Sequence, residues 1–84
     1  MQIRLLLFAA HREAVGTNQL EITVPEGTTA GDLYGEMERR EPALQALRRY
    51  TSFAVNREVV PAGTRLHPGD EVAFLQPVSG GSCD

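Results

Sequence analysis

Gln2-Ile3-Arg4-Leu5-Leu6-Leu7-Phe8-Ala9 is the stretch from which the rest of the chain can be read. Its alternation has a period of two, which predicts a β-strand over residues 2–9. Ile3, Leu5 and Leu7 fall on one face, and Leu6 and Phe8 join Arg4 on the other. Both faces are largely apolar, as in a strand at the centre of a sheet or one that also meets a partner. Near the far end, Glu71-Val72-Ala73-Phe74-Leu75 reads the same way, with Val72 and Phe74 opposed to Ala73 and Leu75. Two such strands belong side by side in the middle of one sheet.

Between them, residues 19–24 alternate Leu20, Ile22 and Val24 against Glu21 and Thr23, a half-buried strand that should pair antiparallel with the first. Residues 11–18 read as a connection turning at Gly16-Thr17-Asn18. Thr29-Ala30-Gly31-Asp32 matches a capping box, and Ala30, Leu33, Tyr34 and Met37 then form a helical stripe running to about residue 40. Pro42 suits the first position of a short second helix with Leu44 and Leu47 on its apolar side. Residues 52–56 and 58–60 read as strands, and His67-Pro68-Gly69-Asp70 has the Pro-Gly order of a type II turn. The order strand, strand, helix, short helix, strand, strand, strand implies an α+β domain whose mixed sheet wraps one main helix.

The chain has 84 residues, enough for one domain whose core buries only about 60% of the unfolded surface. Little is left for a deep catalytic cleft, which favours a carrier or binding module. Hydrophobic residues make up 42% and charged residues 23%, and the net charge of −3 argues against a nucleic-acid partner. All eight basic residues are arginine, so the chain offers no side-chain amine for an isopeptide bond or Schiff base. One cysteine, Cys83, excludes an internal disulfide, a four-cysteine metal site and a two-iron cluster. The opening residues do not read as a signal peptide and no apolar run approaches the ~20 residues of a membrane span, so a cytoplasmic protein without membrane contact is expected.

Side-chain chemistry is sparse. His11 and His67 lack metal-ligand spacing and are expected to be ordinary surface residues, so no metal site is expected. Arg39-Arg40 and Arg48-Arg49 read as solvated helix faces or as contacts for an acidic partner. Cys83 stands beside Asp84, which disfavours a reactive thiolate. The positive feature is Pro77-Val78-Ser79-Gly80-Gly81: without periodicity, it should be an extended, mobile tail over residues 77–84 following a domain over residues 1–76. Two glycines can enter a channel too narrow for any Cβ, and residues 78–81 extended reach about 13 Å. Alone, a Gly-Gly pair is a weak signal.

Read together with the domain, the tail is specific. Leu7-Phe8-Ala9-Ala10-His11-Arg12-Glu13-Ala14-Val15-Gly16, Ala54-Val55-Asn56, and Gly69-Asp70-Glu71-Val72-Ala73-Phe74 running into Pro77-Val78-Ser79-Gly80-Gly81 resemble the molybdopterin synthase small subunits of the MoaD/ThiS family of ubiquitin-like sulfur carriers. The resemblance spans residues 1–81. It implies a β-grasp fold and a carrier that is not itself an enzyme. Gly81 would be adenylated by a partner resembling ubiquitin-activating enzymes, which uses ATP, and converted to a thiocarboxylate by a sulfurtransferase or persulfide donor. Gly80 and Gly81 would then enter the large synthase subunit, which supplies the catalytic side chains and passes sulfur to the molybdopterin precursor. No cofactor would be bound permanently.

Phe8, Leu75, Pro77, Val78 and Ser79 are the expected partner-binding positions, although Phe8 and Leu75 read equally well as core. Where the family usually has Phe-Pro-Pro, this chain has Leu75-Gln76-Pro77, which implies a less aromatic contact. As written, Gly81 carries an amide carbonyl because Ser82-Cys83-Asp84 follow it. The expected route is removal of residues 82–84 by a processing protease; a relative with a different task, or residues from a fusion, are the alternatives. Competing functions are sulfur delivery to cysteine, thiamine or another thiolated metabolite, a ubiquitin-like protein modifier, and an interaction module with an inert tail.

Overall fold

The computed structural model describes residues 1–76. Five strands form one mixed sheet: β1 Gln2–Leu7, β2 Gln19–Thr23, β3 Ser52–Val55, β4 Glu58–Val60 and β5 Glu71–Leu75, in the order β2-β1-β5-β3-β4. β1 and β5 are adjacent and parallel, with Leu5 opposite Val72 and Leu7 opposite Phe74; every other pairing is antiparallel. The two strands predicted to be central are central. This is the ubiquitin-like β-grasp arrangement, in which the sheet closes around helix α2, Ala30–Arg40.

The core lies between the inner sheet face and α2. Ile3, Leu5, Leu7, Ile22, Val72 and Phe74 come from the strands, and Ala30, Leu33, Tyr34 and Met37 from the helical stripe. Burying each of the larger side chains contributes roughly 1.5–3 kcal/mol. α2 starts as its sequence dictates: Thr29 accepts from the Asp32 amide at 3.1 Å, and Asp32 accepts from the Thr29 amide at 3.2 Å. Its exposed side is a set of ion pairs, with Arg40 and Arg39 both reaching Glu36, which suits a solvated helix face.

Four local expectations need correction. β1 ends at Leu7, and the expected connection contains a seven-residue helix, α1, Ala9–Val15. The Phe8 carbonyl accepts from the amides of His11 and Arg12, and Gly16 caps the other end at φ 95 with its amide bonded to the Arg12 carbonyl at 2.8 Å. α1 spans less than two turns and the side chain it buries is His11, so no apolar stripe announced it. His11, expected at the surface, is 0% exposed. The expected short second helix begins at Pro42 and is a 3-10 helix, Pro42–Tyr50, while residue 56 belongs to a turn rather than to β3. The type II turn at His67–Asp70 agrees with Gly69 at φ 84 and the Asp70 amide bonded to the His67 carbonyl at 3.0 Å.

Thr29→Ala removes one half of the capping box without touching the core. It should lower stability by about 1 kcal/mol, read as a reduced urea midpoint at unchanged slope.

Candidate functional site

Among the described residues no helix covers the second face of the sheet. Pairing register places Leu6 opposite Ala73, Ala73 opposite Ala54, and Ala54 opposite Val59, so four strands contribute small or branched apolar groups to one surface. Leu6, Phe8, Ala54, Val59, Ala73 and Leu75 line an open groove of about 360 Å³, with Arg57 and Glu71 also on its lining. Phe8 is 49% exposed and Val59 74% exposed, an unusual state for large apolar side chains. A depression of about 640 Å³ at the other end of the sheet is polar by comparison, lined by Gln2, Arg4, Glu21, Asn56 and Glu71 among others.

The parallel pairing of β1 and β5 decides what lies beside the groove. Leu7 sits opposite Phe74, so both strands leave the sheet at the same end, one into Phe8 and the other into Leu75 and Gln76. The residue that follows the described chain is Pro77. Phe8 is surface and not core, and Leu75 is half-buried on the groove. Pro77, Val78, Ser79, Gly80 and Gly81, like Ser82, Cys83 and Asp84, lie outside the described residues.

Leu6, Ala54, Arg57, Val59 and Ala73 were not singled out from sequence. Leu6 and Ala73 were legible, since alternation already set them on the faces carrying Phe8 and Leu75. Val59 and Arg57 were not, because their place depends on the β3–β4 register. That hairpin turns through Asn56 at φ 51 and Arg57 at φ 72, two consecutive left-handed residues. Asn56 holds the turn to the start of β5. Its amide donates to the Glu71 carbonyl at 2.7 Å, its Nδ2 donates to Asp70 Oδ1 at 3.0 Å, and its Oδ1 accepts from the Glu71 amide at 3.0 Å. Asp70 in turn accepts from the His67 amide at 2.8 Å.

The groups whose pKa values are shifted lie away from the groove. Arg48 makes a paired contact to Glu38, both bonds at 2.9 Å, and this raises the guanidinium pKa further above its ordinary value. Burial raises the Tyr34 phenol, whose hydroxyl donates to the Leu44 carbonyl at 2.7 Å. His67 is exposed, with Nδ1 3.8 Å from Asp70 Oδ2. Among the described residues no cluster of three or more His, Cys, Asp or Glu could hold a metal, and no helix is long and apolar enough to cross a membrane.

The ThiS family model matches residues 5–81. The chain is 40% identical over 83 residues to the molybdopterin synthase sulfur carrier subunit of Homo sapiens, covering 95% of this chain and 94% of that one. It is 37% identical over 82 residues to the Mycobacterium tuberculosis protein of the same name, covering 96% and 99%. Among solved structures, small archaeal modifier protein 1 of H. volcanii superposes with a TM-score of 0.80 at 25% identity, covering 92% of this chain and 98% of that one.

Asn56→Ala deletes two side-chain hydrogen bonds and replaces a residue that tolerates the left-handed region. A loss of about 2 kcal/mol is expected in urea denaturation.

Proposed function

The chain belongs to the ThiS family, and on that premise we propose that it is a sulfur carrier for molybdopterin synthesis, acting through the acyl carbon of Gly81. The observation that carries this reading is the exit of β5 at the end of the sheet where Phe8 and Leu75 expose an apolar groove. A partner seated on that groove would lie next to the start of the Pro77–Gly81 segment. From Gln76, five extended residues span at most about 18 Å, enough to carry a terminal acyl group into an active site while the domain stays outside.

In this reading residues 82–84 are removed by a protease, freeing the Gly81 carboxylate. An adenylating partner then uses ATP to form the acyl adenylate and pyrophosphate, converting a poor leaving group into AMP. A persulfide attacks the acyl carbon and AMP departs. A second thiol cleaves the resulting disulfide to leave the Gly81 thiocarboxylate. The large synthase subunit supplies the catalytic side chains and takes the sulfur for the pterin precursor. Gly80 and Gly81 matter because a Cβ at either would meet the walls of a channel shaped for glycine. Phe8 and Leu75, with Pro77, Val78 and Ser79, form the contact. The carrier holds no resident cofactor.

Two relatives bearing the name of the sulfur carrier support molybdopterin synthesis over delivery to cysteine or thiamine. The modifier protein among the structural neighbours favours a second reading, a ubiquitin-like protein modifier. A covalent ladder on target proteins would distinguish it, since a free thiocarboxylate forms no such ladder.

The deciding measurement is the intact mass of the protein from its native cell. A species ending at Gly81 with one oxygen replaced by sulfur is expected; full retention of Ser82-Cys83-Asp84 during active cofactor synthesis would overturn the carrier reading. Gly81→Ala should slow sulfur transfer about tenfold or more, equivalent to about 1.4 kcal/mol of barrier. Phe8→Glu should weaken binding of the large synthase subunit at least tenfold while leaving the fold intact, as expected for truncating an aromatic anchor.

A further inference from the structure

His11 is a titratable side chain with no exposure, placed where α1, the 3-10 helix, α2 and β5 meet. Its ring packs edge-on against Tyr34 at 6.1 Å and Phe74 at 6.0 Å between centroids. Nε2 lies 2.8 Å from Thr51 Oγ1. Thr51 has a single hydroxyl proton, and the Leu47 carbonyl 2.7 Å away can only accept it. Thr51 therefore accepts from His11 Nε2–H, which assigns the tautomer and leaves Nδ1 as a bare lone pair. That atom is buried and has no hydrogen-bond partner among the described residues. The site fits a neutral imidazole. A second proton on Nδ1 would place a charge in the core with no acceptor to receive it.

Two residues separate this ring from Phe8. The Phe8 carbonyl receives the amides of His11 at 3.0 Å and Arg12 at 3.3 Å, and Ala9 between them is held at φ 47, a left-handed conformation that is disfavoured for a residue with a Cβ. A seven-residue helix does not persist by itself. Its hold on the domain comes from His11, fully buried, and from Ala14 and Val15 packed at the edge of the core.

We infer that His11 is a positioning residue which keeps Phe8 on the groove only while its ring is neutral, so that acid detaches α1 and displaces the Phe8 aromatic ring. The consequence for docking rests on the function proposed above; the switch itself does not. Burial lowers the His11 pKa below its ordinary value. A depressed folded pKa means that the contribution to stability is complete above about 6.5 and is lost as pH falls through the folded value. The groups around the ring offer no compensation. From α2 comes the Tyr34 phenol, held protonated by burial. From the 3-10 helix comes Arg48, 5.7 Å over the Tyr34 ring and already paired with Glu38 of α2. β5 supplies Phe74, and the Arg12 and Glu13 side chains of α1 are exposed. Among the described residues none forms an ion pair with His11.

The test is an NMR titration of the full chain between pH 7.5 and 5.0, following the His11 and His67 ring signals, the Phe8 ring and the exchange protection of the Arg12 and Gly16 amides. Protection of both amides should fall by up to roughly tenfold per pH unit below about 6.5, with the Phe8 ring signal shifting in step. In His11→Phe, which keeps a ring and retains His67, both should stay flat. The inference is overturned if the wild-type His11 ring titrates near its ordinary value with α1 amides still protected, or if the variant loses protection as the wild type does. Should the variant not fold, the wild-type titration decides alone, because the two histidine rings report separately.

Discussion

Everything in this domain depends on the parallel contact between β1 and β5. A parallel pair cannot be closed by a tight turn; the chain must travel away and come back the long way. Here the excursion holds α1, β2, α2, the 3-10 helix and the β3–β4 hairpin. The pair joins Leu5 to Val72 and Leu7 to Phe74 on the face that α2 covers, so the same contact that closes the sheet also assembles the core. Because the strands run the same way, both leave the sheet together. The segment after β1 and the segment after β5 are neighbours by geometry, whatever their sequences.

The two faces of this pair have different fates. Inside, Phe74 packs on Tyr34 at 4.8 Å and on Phe53 at 5.8 Å between centroids, an aromatic cluster with the helix behind it. Outside, among the described residues, no helix covers Leu6, Ala73 and Leu75, and the groove they share with Phe8 is apolar surface that a small domain has every reason to bury. A domain of this size has a marginal core, yet Leu6, Ala73 and Leu75 stay only half-buried there and Phe8 is exposed. Under the function proposed above, this face is half of a contact.

Polar groups do the fastening where hydrophobic area is short. Asn56 ties the β3–β4 turn to the start of β5, Asp70 closes the preceding turn, and Thr51 links the Leu47 carbonyl to His11. Most of these ties are complete. His11 is the departure, because one of its two nitrogens is left bare inside the core. An unsatisfied buried nitrogen costs about 1–3 kcal/mol, a substantial share of the stability of a small domain. That cost falls at the joint that fixes Phe8.

The sequence by itself determined the sheet's strands, the α2 capping box and the centrality of β1 and β5, because each rests on local periodicity or on side-chain-to-backbone bonds only a few residues apart. It also carried the family, through the Gly-Asp-Glu turn, the apolar strand and the Gly-Gly that follow one another in order. The tertiary structure alone decided what depends on distant residues. Alternation shows that Leu6 and Leu75 each share a face with something, but only inter-strand register shows that Val59 and Arg57 join them. Helix α1 was hidden because it is short and turns a histidine inward, so its pattern reads as polar. Nothing local marks His11 as buried: its partners Tyr34, Thr51 and Phe74 come from other parts of the chain, and burial is a property of their meeting.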